Sequence, residues 1–137
     1  MLLIPIEVRP SRIHGTGVFA TAPVRAGEVV WQFDPGVDHL HSLEWLKTQP
    51  RHVQAHFKTY GVVSLDRNSI YLAGDPTIFI NHSETPNLTP RDELLRNGEG
   101  VVVAARDIAA GEELTINYGT IDGSDRDKLA RGEPLFD

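Results

Sequence analysis

The sequence predicts a mainly β fold with one or two short helices. Seven runs of strand-forming residues recur with turn residues between them, at residues 3–8, 17–20, 28–33, 62–65, 70–73, 101–104 and 114–118. Residues 66–69, Asp-Arg-Asn-Ser, have the composition of a hairpin loop between the fourth and fifth runs. One segment, residues 42–57, has helical apolar spacing, with Ser42 as a candidate cap and Pro50 as a break or kink.

Length and composition predict one domain over residues 1–137, large enough to bury about two-thirds of the surface of its unfolded chain. Hydrophobic residues make up 40% of the chain, but no apolar run is long enough for a membrane span. The first six residues are too short for a signal peptide and lack its basic start. We therefore expect an intracellular protein, cytoplasmic or, in a eukaryote, nuclear.

Residue types limit the possible ligands. The sequence has no cysteine, so disulfides, cysteine zinc sites and thiol nucleophiles are excluded. The net charge of −6 argues against direct nucleic-acid binding and suits a basic partner. His39 and His41 lie two apart and His52 and His56 four apart, a spacing that can hold a metal, but four surface histidines are the simpler interpretation. We expect no metal site.

Residues 77–87 hold an unusual polar cluster. An apolar run at residues 77–80, interpreted as the end of a buried strand, is followed by Asn81, His82 and Ser83 and closed by Pro86-Asn87. Desolvated polar side chains need partners, and a ligand rich in hydrogen-bonding atoms would supply them. A polar turn that bonds its own backbone is the alternative, and it is favoured when the stretch is taken alone.

Three further patterns are weak by themselves. Gly15 and Gly17 flank one residue, which allows close approach of a ligand to the backbone but is more often a glycine bulge. Ala-Gly-Glu occurs at residues 26–28 and 110–112, each time before an apolar strand, which predicts one turn type used twice. Residues 114–118 alternate as a strand, on which Tyr118 would usually be a core aromatic.

Taken in order, three of these pieces resemble the SET-domain family of protein lysine methyltransferases. They are residues 14–20 (His-Gly-Thr-Gly-Val-Phe-Ala), residues 79–83 through Pro86-Asn87 (Phe-Ile-Asn-His-Ser), and residues 111–115 through Tyr118-Gly119 (Gly-Glu-Glu-Leu-Thr). The core motifs span residues 11–119, leaving residues 120–137 as a C-terminal tail. The likeness is greatest to compact, zinc-free members.

The resemblance implies a SET-domain fold of small curled sheets, with a C-terminal pseudoknot in which the Asn-His-Ser segment threads beneath a loop. It also implies S-adenosylmethionine as methyl donor, with S-adenosylhomocysteine as product. By family analogy, Tyr118 is the catalytic residue. The implied donor-binding residues are His14, Gly15, Thr16, Gly17, Asn81 and His82, and the implied substrate-channel residues are Ile116, Tyr60, Tyr71 and Phe136.

The implied activity is protein-lysine N-methylation, by in-line transfer of a methyl group to a neutral amine. We expect a lysine in a basic, flexible segment such as a histone-like tail, and a homodimer is possible. A catalytically silent module that binds a basic peptide is the alternative. Two departures from the family stand out: Glu84 occupies a position where many members have a zinc-binding cysteine, and Phe136 is the only aromatic in the tail.

Overall fold

The computed structural model describes residues 1–123, and residues 124–137 lie outside the described part. Within residues 1–123 the chain forms ten short strands, two α-helices and two 3-10 helices. The strands are β1 (Ile6–Pro10), β2 (Thr16–Ala20), β3 (Val29–Trp31), β4 (His39–Ser42), β5 (Val62–Val63), β6 (Ser69–Leu72), β7 (Asn81–His82), β8 (Leu88–Arg96), β9 (Glu99–Ala104) and β10 (Thr115–Ile116). The α-helices are α1 (Leu43–Lys47) and α2 (Arg51–Tyr60), and the 3-10 helices are Pro76–Phe79 and Tyr118–Thr120.

The described strands pair into four small sheets, which confirms the mainly β prediction. β1 and β2 form an antiparallel hairpin, while β9 pairs antiparallel with β3 on one side and β8 on the other. β6 is likewise central between β4 and β5, and the loop predicted at residues 66–69 joins β5 to β6. Each of the seven predicted runs overlaps one of these strands.

The fourth sheet brings distant parts of the chain together. β7 and β10 run parallel, with Asn81 opposite Thr115 and His82 opposite Ile116. The pairing continues as the N–H of Ser83 donates to the carbonyl of Ile116 at 3.1 Å. The Asn-His-Ser segment therefore lies against the C-terminal segment, the contact that the predicted pseudoknot requires.

The helical segment breaks where the sequence predicts. The hydroxyl of Ser42 accepts the N–H of Trp45 at 3.0 Å, which caps α1. Pro50 separates α1 from α2, because its missing N–H and fixed φ favour the start of a helix over its interior. Leu46 of α1, Phe57 of α2 and Ile70 of β6 belong to one buried cluster.

The repeated Ala-Gly-Glu phrase forms the same turn twice. Gly27 and Gly111 have φ values of 84° and 88°, in the left-handed region that favours glycine. In each turn the Glu N–H donates at 3.1 Å to the carbonyl three residues earlier, at Arg25 and Ala109. The two turns lie together, since Val24 and Ile108 form a bridge between the residues that precede them.

Residues 77–80 do not form the predicted buried strand. The chain there makes the 3-10 helix Pro76–Phe79, and only then enters β7. Asp75 explains the difference, because its carboxylate accepts hydrogen bonds from the N–H of Thr77 at 3.2 Å and from the hydroxyl of Thr77 at 2.6 Å. Pro76 follows this cap with the φ that a helical first turn needs.

The predicted strand at residues 114–118 is also too long. Only Thr115 and Ile116 pair, and Asn117 then caps a 3-10 turn by accepting the N–H of Gly119 at 2.9 Å. Three strands, β4, β7 and β8, lie outside the predicted runs. β4 has two histidines among its four residues, and β8 contains Pro90 and mostly exposed side chains, which an edge strand tolerates.

Candidate active site

Asn81, buried to 7% exposure, joins the loop of residues 11–17 to the C-terminal segment. Its amide nitrogen lies near four oxygen atoms: Oγ of Ser11 at 3.1 Å, the carbonyls of His14 at 3.0 Å and Thr16 at 3.2 Å, and Oε2 of Glu113 at 2.9 Å. An amide has two N–H groups, so these acceptors share them. The donors that the sequence prediction gives to a ligand are therefore satisfied by the protein itself.

Glu113 is the second fixed point of the loop. Its two carboxylate oxygens lie 2.8 and 2.9 Å from the hydroxyl of Ser11, which donates to them. A Cβ at Gly17 would lie only 2.7 Å from Oε2 of Glu113 and 3.0 Å from Cβ of Ser11. Gly17 is therefore required for packing against this carboxylate.

Gly15 faces the other way. Its φ is 48°, which favours glycine, and apart from its two chain neighbours no atom of the described residues lies within 4 Å of where its Cβ would be. The carbonyl of Gly15 accepts the N–H of Ser11 at 2.8 Å, which closes the loop. The loop thus offers bare backbone to open space at Gly15 while its interior is fixed.

His82 holds the backbone of Tyr118. Its Nδ1 accepts the N–H of Tyr118 at 3.0 Å, so the proton of the neutral ring lies on Nε2, which is 3.0 Å from Oε1 of Glu84. The two rings are 5.3 Å apart between centroids. Both ring nitrogens of His82 are thus engaged within the protein, and Glu84 takes part where many family members have a cysteine.

Tyr118 is half-buried, and its side chain points back to β7. The hydroxyl donates to the carbonyl of Ile80 at 2.6 Å. Ile80, whose carbonyl accepts this hydrogen bond, directly precedes Asn81, whose amide holds the loop of residues 11–17. The loop and Tyr118 are consequently coupled through three consecutive residues, 80–82.

A cavity of about 590 Å³ opens beside Tyr118. Of the predicted channel residues, Ile116, Tyr60 and Tyr71 line it together with Tyr118. Phe136 lies outside the described residues. The predicted donor residues are not among its walls, but the two regions meet where Ile80, which lines the cavity, continues into Asn81.

One end of the cavity is aromatic. Tyr71 packs edge-on against Trp31 at 5.4 Å and against Phe33 at 6.2 Å between centroids. Within residues 1–123, Nε1 of Trp31 and the hydroxyl of Tyr71 are buried without a hydrogen-bond partner. Burial, reinforced by the negative charges of Asp38 and Asp75, raises the pKa of Tyr71 well above its usual range, so this wall stays uncharged.

The cavity rim is acidic. Asp66, Asp92 and Glu99 all line the cavity; the two aspartates are exposed and Glu99 is half-buried. Asp66 is fixed by accepting the N–H of Asn68 at 2.9 Å. The mouth of an otherwise apolar cavity therefore carries carboxylates that favour a cationic ligand.

Sequence reasoning gave no role to Ser11, Glu113 or Asn87. Asn87 is 1% exposed; its amide nitrogen donates to Glu112 at 2.7 Å and its oxygen accepts the N–H of Thr115 at 2.8 Å. It thereby fixes β10 at the point where β7 arrives. All three residues lie within or beside the quoted motifs, but their partners are distant in sequence and become visible only in the fold.

The histidine pairs are not assembled into a site. His41 stacks on Trp45 at 3.6 Å and faces His39 at 6.3 Å between centroids. Burial and the nearby His39 lower the pKa of His41. In the part of the chain that the structure covers, no three His, Asp or Glu side chains group closely enough to hold a metal ion.

The described helices also include none with the length and hydrophobicity of a membrane span.

These features define a class of fold, small sheets tied together by the β7–β10 pairing, and known proteins share it. Residues 15–119 match the model of the SET domain family. This chain belongs to the SET domain family.

The sequence relatives are much longer proteins. The chain is 28% identical over 118 residues to "Histone-lysine N-methyltransferase, H3 lysine-4 specific" of Yarrowia lipolytica, covering 83% of this chain and 10% of that protein. It is 29% identical over 117 residues to "Histone-lysine N-methyltransferase trithorax" of Drosophila virilis, covering 82% of this chain and 3% of that protein. The chain thus spans a tenth or less of the length of these relatives.

Solved structures agree on the fold. "Chaetomium thermophilum Polycomb Repressive Complex 2 bound to GSK126" matches with a TM-score of 0.67 and 25% identity, over 93% of this chain and 17% of the other. A humanized mutant of the same complex, bound to the same inhibitor, matches with a TM-score of 0.63 at 25% identity, over 86% and 15%. The predicted SET fold is confirmed by these matches.

Proposed function

We propose that the protein is an S-adenosylmethionine-dependent protein-lysine N-methyltransferase. The observation that carries the proposal is the position of Tyr118: its hydroxyl donates to the carbonyl of Ile80 at 2.6 Å, in the wall of a cavity of about 590 Å³. The relatives named as histone-lysine N-methyltransferases support the same activity.

The residues of the glycine loop fit the donor. S-adenosylmethionine supplies an electrophilic methyl group on a sulfonium. Gly15 leaves the loop backbone open where a ligand would lie, and Asn81 with Glu113 holds the loop in place. Asn81 and His82 serve the donor site mainly as positioning residues, because the Asn81 amide N–H groups and both His82 ring nitrogens bond to protein.

The cavity favours a neutral amine. A free lysine has a pKa near 10.4, so at neutral pH little of it is nucleophilic. Desolvation between apolar and aromatic walls such as Ile116, Tyr60 and the uncharged Tyr71 disfavours the ammonium form. The walls thereby help to generate the reactive form, and the remaining task is alignment of amine and methyl group.

Tyr118 performs that alignment. Because its proton is donated to Ile80, the hydroxyl oxygen can meet the electron-poor methyl group only as an acceptor. Contacts of the type C–H···O are worth roughly 0.5–1 kcal/mol each. The hydrogen bond to Ile80 thus fixes the orientation of the Tyr118 hydroxyl, so that its oxygen can make this weak directional contact with the methyl group.

The substrate is a lysine in a basic protein segment. The carboxylates of Asp66, Asp92 and Glu99 lie at the cavity mouth, and the chain carries 19 acidic against 13 basic residues. Complementary charge raises the rate of encounter and suppresses acidic partners. A homodimer, the absence of direct nucleic-acid binding, an intracellular location and a single domain over residues 1–137 stay predictions from the sequence.

The number of methyl groups follows from the wall at Ile116. An aliphatic side chain has no hydroxyl to hold a water molecule beside the amine, and desolvating added methyl groups against it costs little. Tyr60 and Tyr71 line the same cavity and are the groups that could supply a hydroxyl instead. We propose di- or trimethylation.

Donor binding and transfer are measured together to test the proposal. Calorimetry with S-adenosylmethionine should show binding by the wild type. Asn81→Ala should weaken it roughly 5- to 150-fold, because donor binding must then reorder the loop that the amide holds, at a cost of about 1–3 kcal/mol. Mass spectrometry should then find label from the donor on a basic lysine peptide. A silent module that only binds a basic peptide is the alternative, and peptide binding without donor binding would establish it.

A further inference from the structure

Glu84 is a surface carboxylate that contacts a residue of the proposed active site. Its Oε1 lies 3.0 Å from Nε2 of His82, although the side chain of Glu84 is 84% exposed and that of His82 only 37%. The other ring nitrogen of His82, Nδ1, accepts the N–H of Tyr118 at 3.0 Å. One imidazole ring therefore connects a carboxylate on the surface to the backbone of the residue proposed for methyl transfer.

The backbone is fixed on both sides of Glu84. Before it, the N–H of Ser83 donates to the carbonyl of Ile116 at 3.1 Å, next to the β7–β10 pairing. After it, the N–H of Thr85 donates to Oγ of Ser83 at 3.0 Å, which closes a short turn around Glu84. Because this backbone is already held, the contact between Glu84 and His82 costs little further conformational entropy.

The contact matters because a neutral imidazole carries its proton on only one of its two nitrogens. With the proton on Nε2, His82 donates to Glu84 and accepts from Tyr118, and both contacts are hydrogen bonds. With the proton on Nδ1, the ring would present an N–H to the N–H of Tyr118 and a lone pair to the carboxylate, so both contacts would be repulsive. Glu84 thus favours the one neutral form of His82 that can hold Tyr118.

The N–H of Tyr118 needs an acceptor from outside its own helix. Tyr118 begins the 3-10 helix Tyr118–Thr120, and the first N–H groups of a helix have no acceptor inside it. Asn117, which caps this helix, accepts the next N–H, that of Gly119, at 2.9 Å. Nδ1 of His82 consequently fixes the backbone from which the Tyr118 side chain extends towards β7.

We propose that Glu84 is a positioning residue for methyl transfer, and that it acts by fixing the tautomer of His82. The inference rests on the proposed function, because it assigns a further residue to that same site. A carboxylate suits the role since it only accepts hydrogen bonds, whereas a side chain that donates would favour the opposite tautomer. Exposed ion pairs add little to folding stability, so the effect of Glu84 should appear in the transfer rate rather than in the unfolding midpoint.

Three substitutions of Glu84 separate hydrogen bonding from charge. Glu84→Gln keeps an oxygen that accepts the Nε2 proton, so the kcat for a basic lysine peptide should stay close to that of the wild type. Glu84→Ala removes the acceptor and should lower kcat roughly two- to fivefold. Glu84→Lys places a donor opposite Nε2 and should lower kcat further. The KM for the peptide should not change, because Glu84 does not line the cavity.

The ring nitrogens of His82 provide a readout that does not depend on activity. Nitrogen-15 NMR of the full chain, at about pH 8 and so above the ordinary titration range of histidine, distinguishes a protonated ring nitrogen from an unprotonated one. The His82 signals are assigned by through-bond correlation to its backbone. The wild type and Glu84→Gln should hold the proton on Nε2, and Glu84→Lys should move it towards Nδ1.

Glu44→Gln is the matched control. Its side chain is also 84% exposed, and it contacts Lys47 at 3.1 Å, so its loss removes a comparable ion pair elsewhere. This variant should change neither kcat nor the His82 signals, and all four variants should unfold at the same urea midpoint as the wild type.

Other outcomes would overturn the inference. Equal kcat in Glu84→Lys and the wild type would do so and leave the proposed function intact. A lower kcat in Glu84→Lys while the His82 proton stays on Nε2 would show that Glu84 acts through its charge alone, as would a Glu84→Gln variant as slow as Glu84→Ala. Absence of methyl transfer by the wild type would contradict the inference and the proposed function together.

Discussion

Replacing the Asn81 amide separates its donor role from its shape. Asn81→Asp keeps the shape but puts an oxygen where the amide nitrogen meets the carbonyls of His14 and Thr16 and the carboxylate of Glu113. Asn81→Ala removes the group instead. Leaving these acceptors without a donor should cost about 1–3 kcal/mol of unfolding free energy in the Ala variant.

The Asp variant should lose more. Two carboxylates 2.9 Å apart repel by about 6 kcal/mol at an effective dielectric of about 20, unless the pair takes up a proton. This repulsion raises the pKa of the pair in the folded state, so the folded protein takes up a proton more readily and the lost stability should partly return as the pH falls from 7 to 5. Asn81→Asp, although closer in shape to the wild type, should therefore be less stable than Asn81→Ala at pH 7.

Urea denaturation at both pH values measures these differences. Asn117→Asp is the matched control, because Asn117 acts through its oxygen, which accepts the N–H of Gly119 at 2.9 Å, and aspartate preserves that bond. It should stay close to the wild type. An Asn81→Asp variant as stable as the wild type at pH 7 would refute the role of the amide as the donor that holds the loop.

Three further changes have defined outcomes. Ile116→Tyr should shift a saturated reaction from di- or trimethylation towards monomethylation, read by mass spectrometry; a wild type that stops at one methyl group would contradict this. Gly17→Ala should lower the urea midpoint more than Gly15→Ala, because its Cβ would meet Glu113 at 2.7 Å, whereas Gly15→Ala carries only the strain of a non-glycine residue at a φ of 48°. Because the lowered pKa of His41 means that the unfolded chain binds more protons, the wild type should lose stability as pH falls below about 6.5. Thermal melts of His41→Gln should show a smaller loss of stability at low pH than those of the wild type. An equal loss in both would exclude His41 as its cause.

Local signals predicted the framework of the fold well. Turn residues and strand composition located seven strands, and Pro50 divided the helical segment where the structure divides it. The incorrect predictions arose where one local signal overrode another or where tertiary pairing decided the structure. Asp75 and Pro76 imposed a 3-10 helix on an apolar run that fits a strand, and β8 becomes a strand because β9 pairs with it, although Pro90 weakens its local signal.

The sequence prediction named residues that line the cavity but not the hydrogen bonds that hold the surrounding segments together. Tyr118, Ile116, Tyr60 and Tyr71 line one cavity, an arrangement that sequence spacing could not have derived without the family resemblance. The partners of Asn81 were not predictable, since they lie 32 to 70 residues away in sequence. Polar side chains at the end of an apolar run need partners, but the sequence does not say whether protein or ligand supplies them.

Single-turnover methylation by wild type and Tyr118→Phe, at saturating donor, tests the central claim most directly. Losing the hydrogen bond to Ile80 and one contact to the methyl group removes about 1–2.5 kcal/mol of transition-state stabilisation. Transfer to a basic lysine peptide should therefore slow roughly 5- to 70-fold. Donor affinity should change little, and Tyr60→Phe, in the same cavity wall, should react like the wild type. Equal rates in Tyr118→Phe and wild type would contradict the assignment of Tyr118 to methyl transfer.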